Sequence, residues 1–198
     1  MSTKEKWGKL LSDWDNKLKP QWNELLGQAV EYGLEIDTQT NSISRKGCTA
    51  EEIDALELRL NTKLPSSYKS FLLVTNGAYL LERPFELLMA NKVDWLIQTD
   101  PDTVEAWSKD EYDVPDELYY VYDSRQDSVN MRNEYVKCCL TISSEFDTDL
   151  FLLNPKIKNA EGEWEAWLLS PKNPGAIRFR SFWDLMIDRL SMVENYFE

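Results

Sequence analysis

The stretch TAEEIDALELRLNTKLPSSYKSFLLVTNGA, Thr49 to Ala78, constrains this chain more tightly than any other of its length. Thr49 can accept a hydrogen bond from the Glu52 amide while the Glu52 carboxylate reaches back, so Thr-Ala-Glu-Glu is a capping box that opens a helix. Ile53, Leu56 and Leu60 then share one face. Leu64-Pro65 ends that helix, because proline has no amide proton and biases the residue before it towards extended backbone. Proline is tolerated in a first turn, so a second helix is predicted from about Pro65 or Ser66. Tyr68, Phe71 and Leu72 give it an apolar face, and Asn76-Gly77 supplies residues that enter the left-handed conformation cheaply at a helix end. By themselves these residues describe a helical hairpin.

On either side the pattern changes. Trp7, Leu10, Leu11, Trp14 and Leu18 recur at helical spacing from Lys4 to about Leu18, where Pro20 interrupts. A second amphipathic piece, Gln21 to Tyr32, carries Trp22, Leu25, Leu26, Ala29 and Val30, and the polar run Asp37 to Gly47 reads as a connection. After Gly77 short extended runs take over. Strands are predicted at Val93–Ile97, Leu118–Tyr122, Tyr135–Ile142, Leu150–Leu153, Trp164–Leu169 and Ile177–Phe179, with turn chemistry between several of them. Ser181 can cap a last helix whose Phe182, Leu185, Met186, Leu190 and Val193 lie on one side. Helices framing a sheet built from neighbouring strands make an α+β domain.

The order of features in the central stretch resembles the signature of the SUKH superfamily, which includes yeast regulators of cell-wall glucan synthesis and many bacterial immunity proteins that neutralise toxins. The matching residues are Ile53, Leu56 and Glu57 on the first helix, Leu64, Pro65, Tyr68, Phe71 and Leu72 around the second, then Asn76 and Gly77. The family also ends with a strand, a Ser-Phe helix start and an amphipathic helix, as at Ser181-Phe182 here. The resemblance implies a single mixed, mainly antiparallel sheet flanked by helices over residues 48–198, preceded by an N-terminal helical extension and linker at 1–47. Two features depart from the family pattern. Its common Asp-Gly turn is replaced by Phe146-Asp147-Thr148-Asp149, and residues 98 to 117 form an enlarged loop.

Charge narrows the function classes. The formal charge is −13, from 35 acidic and 22 basic side chains, and residues 1 to 48 hold seven of each sign, so the whole surplus follows Cys48. Such a surface repels nucleic-acid phosphates and anionic lipid and attracts a basic partner, or serves solubility alone. The chain has no histidine. That removes Ser-His-Asp and Cys-His nucleophiles, HExxH zinc sites and the side chain best suited to proton transfer near neutral pH. The three cysteines, Cys48, Cys138 and Cys139, form neither a disulfide framework nor a thiolate cluster. With no phosphate-cradling glycine motif, no cofactor and no metal are expected. The N-terminal stretch lacks an apolar core of signal-peptide length and no run approaches the ~20 apolar residues that span a bilayer, so a cytoplasmic protein is expected.

The sharpest local feature is DPDTVEAWSKDEYDVPDE, Asp100 to Glu117, with eight carboxylates and one lysine. Asp100, Asp102, Glu105, Asp110 and Glu111 continue through Asp113, Asp116 and Glu117, and Trp107 and Tyr112 are interleaved with them. Aromatic anchors inside an acidic rim suit a basic protein partner, whereas a solvated helix-loop has the same composition. EF-hand spacing is missing. Glu145, Asp147 and Asp149 fit a hairpin turn. Glu163, Trp164, Glu165 and Trp167 can either stack on a glycan or alternate along a half-buried strand, and the strand is preferred. The expectation is a non-catalytic protein-binding domain: an immunity protein for a basic, nuclease-type toxin, or else a regulatory scaffold of the cell-wall type, with a glycan-directed protein third.

Overall fold

A computed structural model of the chain describes residues 3–34, 36, 42–80, 85–109, 113–122 and 124–196. The chain divides into two compact units, one made of Met1–Lys92 with Met186–Glu198 and the other of Val93–Leu185.

The first unit begins with α1 (Thr3–Leu18), a 3-10 turn at Lys19–Gln21 where Pro20 falls, and α2 (Trp22–Glu31). Trp7 and Trp14 are fully buried. The Trp7 ring meets Phe71 edge-on at 5.3 Å, and its indole N–H donates to the Ser67 carbonyl at 3.1 Å. α3 (Ala50–Leu60) opens with both halves of the capping box: the Glu52 amide donates to Thr49 Oγ1 at 3.2 Å, and the Thr49 amide donates to Glu52 Oε2 at 2.7 Å. Asn61 closes it in the left-handed conformation. α4 (Ser66–Val74) starts directly after Pro65, and its Tyr68, Phe71 and Leu72 are buried.

The remaining signature residues hold this hairpin and its exit into the next strands. Glu57 is buried, and its carboxylate accepts from the Leu64 amide at 3.0 Å and from Lys63 and Lys69 Nζ at 2.6 Å each, which pins the turn at Leu64-Pro65. Burial opposes its ionisation, but these three donors outweigh it and hold the carboxyl below its usual range. Asn76 Oδ1 accepts from the Ala90 amide at 2.7 Å. Gly77 has φ +81°, and a Cβ there would come within 2.4 Å of the Leu87 carbonyl oxygen, so only glycine fits. It leads into a two-stranded antiparallel sheet of β1 (Ala78–Leu80) and β2 (Phe85–Leu87).

The second unit holds a five-stranded sheet in sequence order: β3 (Asp94–Trp95), β4 (Leu140–Thr141), β5 (Leu150–Lys158), β6 (Trp164–Ser170) and β7 (Gly175–Phe179). The α+β class thus holds, but the described strands form two sheets rather than the single mixed one expected, and every pairing among them is antiparallel. Neighbours joined by short turns pair this way without the crossover that a parallel pair requires. β5 runs past the predicted Leu153 to Lys158 by way of an irregularity after Asn154, the kind of place where Pro155 is tolerated. β6 is buried along its whole length, on both faces rather than one.

Three expected strands are corrected. Within Leu118–Tyr122, Tyr119 ends a short helix, α7 (Asp116–Tyr119), because Pro115 sets up a helix start and Asp116 and Glu117 favour a first turn. Asn133–Cys138 is a 3-10 helix, leaving only Leu140 and Thr141 extended in the predicted Tyr135–Ile142 run. Likewise Leu96–Thr99 is a helical turn, α5, directly after β3. The excursion between β3 and β4 therefore carries α5, α6 (Pro101–Ser108), α7 and the 3-10 helix, and it contains the acidic segment. The last helix, α8 (Phe182–Tyr196), is capped as predicted: the Asp184 amide donates to Ser181 Oγ at 3.1 Å.

Candidate functional site

The acidic segment is built on α6 and α7. Asp100 is the cap of α6, its Oδ1 accepting from the Thr103 amide at 2.9 Å, and Pro101 occupies the first turn. Val104 is buried, and Trp107 is half-buried, packed with Tyr135 against a core of Leu96, Met131, Val136, Leu152 and Trp167. Asp102, Glu105 and Ala106 are exposed on the other side of α6, with Lys109 paired to Glu105 at 3.3 Å. Asp113, Asp116 and Glu117 are exposed along the next stretch. Asp110, Glu111 and Tyr112 lie outside the described residues.

A cleft of about 680 Å³ opens beside this segment. Ala106 and Trp107 of α6 form one wall, and Asp113, Val114, Pro115 and Leu118 form the next. The floor and far side come from Val129, Asn130, Met131 and Asn133, with Pro171 and Pro174 from the β6–β7 turn. Leu118 and Val129 are 46% and 47% exposed and leave part of their side chains open in the cleft. Gly175 makes the far wall possible, since a Cβ there would lie 2.0 Å from the Ser128 carbonyl oxygen, which accepts from the Ala176 amide at 3.1 Å.

Two guanidiniums fix the wall that carries Val114 to Tyr122. Arg132 donates from Nε and Nη2 to the Val114 carbonyl at 3.1 and 2.9 Å, pairs with Asp116, and lies 4.5 Å over the Tyr119 ring. Arg178, fully buried, donates from Nη1 to the Tyr119 carbonyl and lies 4.3 Å over the same ring. Beneath them the buried Glu165 carboxylate accepts from Tyr119 Oη at 2.6 Å, Tyr122 Oη at 2.8 Å, Trp167 Nε1 at 2.6 Å and Asn154 Nδ2 at 3.0 Å. Burial, reinforced by the Glu165 charge, pushes both phenols well above the ordinary tyrosine range. Four donors on one buried carboxylate make this cluster a brace for the Tyr119–Tyr122 stretch, although Nε and Nη2 of the buried Arg178 have no hydrogen-bond partner among the described residues.

Trp164 and Trp167 are buried, 2% and 0% exposed, so neither offers a face to a glycan. Asp147 and Thr148 are the two left-handed residues of the hairpin turn between Phe146 and Asp149, and Lys172 pairs with Asp147 at 2.6 Å. Among the described residues no three His, Cys, Asp or Glu side chains are grouped to hold a metal ion, and no helix is long and apolar enough to cross a membrane. Of the residues expected from the sequence, Trp107 and Asp113 line the cleft, and Leu118, Val129, Met131 and the two prolines were not expected there. Their one visible signal is exposed-type apolar residues in a polar neighbourhood, and nothing local says that they meet.

No curated protein sequence matches the chain. A family model does, that of the SMI1 / KNR4 family (SUKH-1), over residues 47–188. The match spans the capped hairpin of α3 and α4, the five strands of the second unit and the cleft beside them, and the chain belongs to the SMI1 / KNR4 family (SUKH-1).

Proposed function

We infer that this chain is a cytoplasmic immunity protein that binds a cognate bacterial toxin and blocks it by occupying its working surface. Members of the family are in general non-enzymatic domains with immunity or regulatory-scaffold roles, which sets the class of function. The observation that carries the finer reading is a mainly apolar cleft with Asp113 in its lining and further exposed carboxylates, Asp102, Glu105, Asp116 and Glu117, on the two helices that contribute to its walls. Apolar area supplies affinity and a charged rim supplies steering and orientation, so a cleft of this composition favours a basic protein over a nucleic acid or an anionic membrane. Nuclease-type toxins, which must themselves attract phosphates, are the natural basic partners. Residues 48–198 would form the SUKH domain and 1–47 its helical extension, with function concentrated in the segment from Asp100 to Glu117.

Co-expressing the chain with the toxin encoded beside it tests the reading. Cells are expected to survive toxin induction only when the chain is present. Undiminished killing despite abundant soluble chain would overturn it. A scaffold of the cell-wall-regulator type, the second reading the family allows, would instead recover host proteins in a pulldown from cells that hold no toxin.

A further inference from the structure

We propose that the chain supplies the socket and its partner supplies the knob: the cleft between α6, α7 and the 129–133 loop receives one bulky aliphatic or aromatic side chain, flanked by lysine or arginine, from a basic protein. This deepens the toxin-binding reading and rests on it for the partner's identity, but not for the recognition chemistry.

Trp107 is the reason for the direction. Large aromatics dominate interfaces when they project from one partner into a pocket of the other. Here the indole is half-buried, packed with Tyr135 on the core, and turns its remaining surface into the cleft as a wall. Pro115, Pro171 and Pro174 restrict the backbone of the remaining walls, which lowers the ordering cost of binding. The cleft, about 680 Å³, falls in the size range of ligand-binding pockets, and Leu118 and Val129 offer it their exposed apolar surface. The rim decides the flanks of the knob. Lys109 is paired with Glu105, and Arg132 is committed to Asp116 and the Val114 carbonyl, so the nearby cations are neutralised. Asp102, Asp113 and Glu117 remain exposed, and Asp116 keeps 73% of its side chain in solvent despite its pair. Asp113 lines the cleft itself, so an incoming lysine or arginine meets its carboxylate as the apolar neighbour enters, with the other carboxylates on the elements that form the walls.

A library of random 12-residue peptides displayed on phage and selected against the immobilised full chain tests this. Enriched sequences are expected to hold one Trp, Phe, Leu or Ile with at least two Lys or Arg around it. Binding of the best synthetic peptide should fall tenfold or more in Ala106→Trp, which fills the cleft from an exposed helix position, and in Val129→Lys, which adds a repelling charge. Leu58→Lys, on an apolar residue 82% exposed on α3, should leave binding unchanged. Thermal melting confirms folding of each variant, and either cleft variant alone suffices if the other is unstable. Enrichment of sequences lacking the anchor or the basic flanks, no enrichment, or binding indifferent to both cleft variants would overturn the proposal. Toxin neutralisation that survives both cleft variants would sink the socket and leave the immunity reading standing, whereas peptide selection as expected with no neutralisation would do the reverse.

Discussion

Glu57 illustrates how one side chain can decide a local fold. Its carboxylate sits on the apolar face of α3, where an ionised group belongs only if it is fully partnered, and the Leu64 amide, Lys63 and Lys69 are those partners. Glu57→Ala should cost about 2 to 3 kcal/mol in urea denaturation, because it strands a buried amide and removes two charge-assisted bonds. A loss under about 0.5 kcal/mol would mean that the turn is held by Pro65 alone. Because the Glu57 carboxyl is depressed when folded, its contribution is present above the unfolded value near pH 4.3 and fades as pH falls through the lower folded one. The phenols of Tyr119 and Tyr122 work in the opposite direction. Their folded values lie above the unfolded value near 10, so the stability they contribute is whole below about pH 10 and declines as pH rises further. The urea midpoint is expected to fall between pH 9 and pH 11, and to fall less in Tyr119→Phe. An equal fall in the two proteins would remove the brace from the account.

At the scale of elements, the hairpin turn before β5 is the clearest strained piece. Asp147 and Thr148 both adopt positive φ, 50° and 69°, as a two-residue hairpin loop demands, yet threonine is β-branched and resists that conformation. Thr148→Gly should therefore stabilise the protein by about 0.5 to 1 kcal/mol, the relief of strain exceeding the added freedom of the unfolded chain. A lower melting temperature would show that the Thr148 hydroxyl matters more than its backbone. The elements also divide by how far their causes reach. The capping box at Thr49, Pro65 and Gly77 are local instructions, and α3, α4 and the turn into β1 were legible from them. Leu118 to Tyr122 reads as a strand because its aromatics suit one. Its actual conformation follows from Pro115 and from hydroxyl contacts with Glu165 on a strand more than forty residues away. Similarly the Trp-Glu alternation of β6 announces a strand but not that both of its faces are covered. The cleft was least legible of all, since the 106–118, 129–133 and 171–174 segments have no shared pattern in the sequence.

Across the whole molecule, the proposed function divides the work between the family scaffold and the acidic surplus. The surplus of −13 lies entirely after Cys48, the segment from Asp100 to Glu117 carries eight carboxylates against one lysine, and Asp113 of that segment lines the cleft. Charge acting in this way accelerates association and weakens with salt, whereas the apolar contact sets the lifetime of the complex. Titration of the purified chain with the purified toxin domain encoded beside it, at about 50 and 500 mM salt, measures both. The expected result is a complex whose association slows at the higher salt, and again when Asp113 and Asp116 are changed to lysine. The absence of any complex at the lower salt, or an association rate that neither salt nor those two substitutions alter, would contradict it.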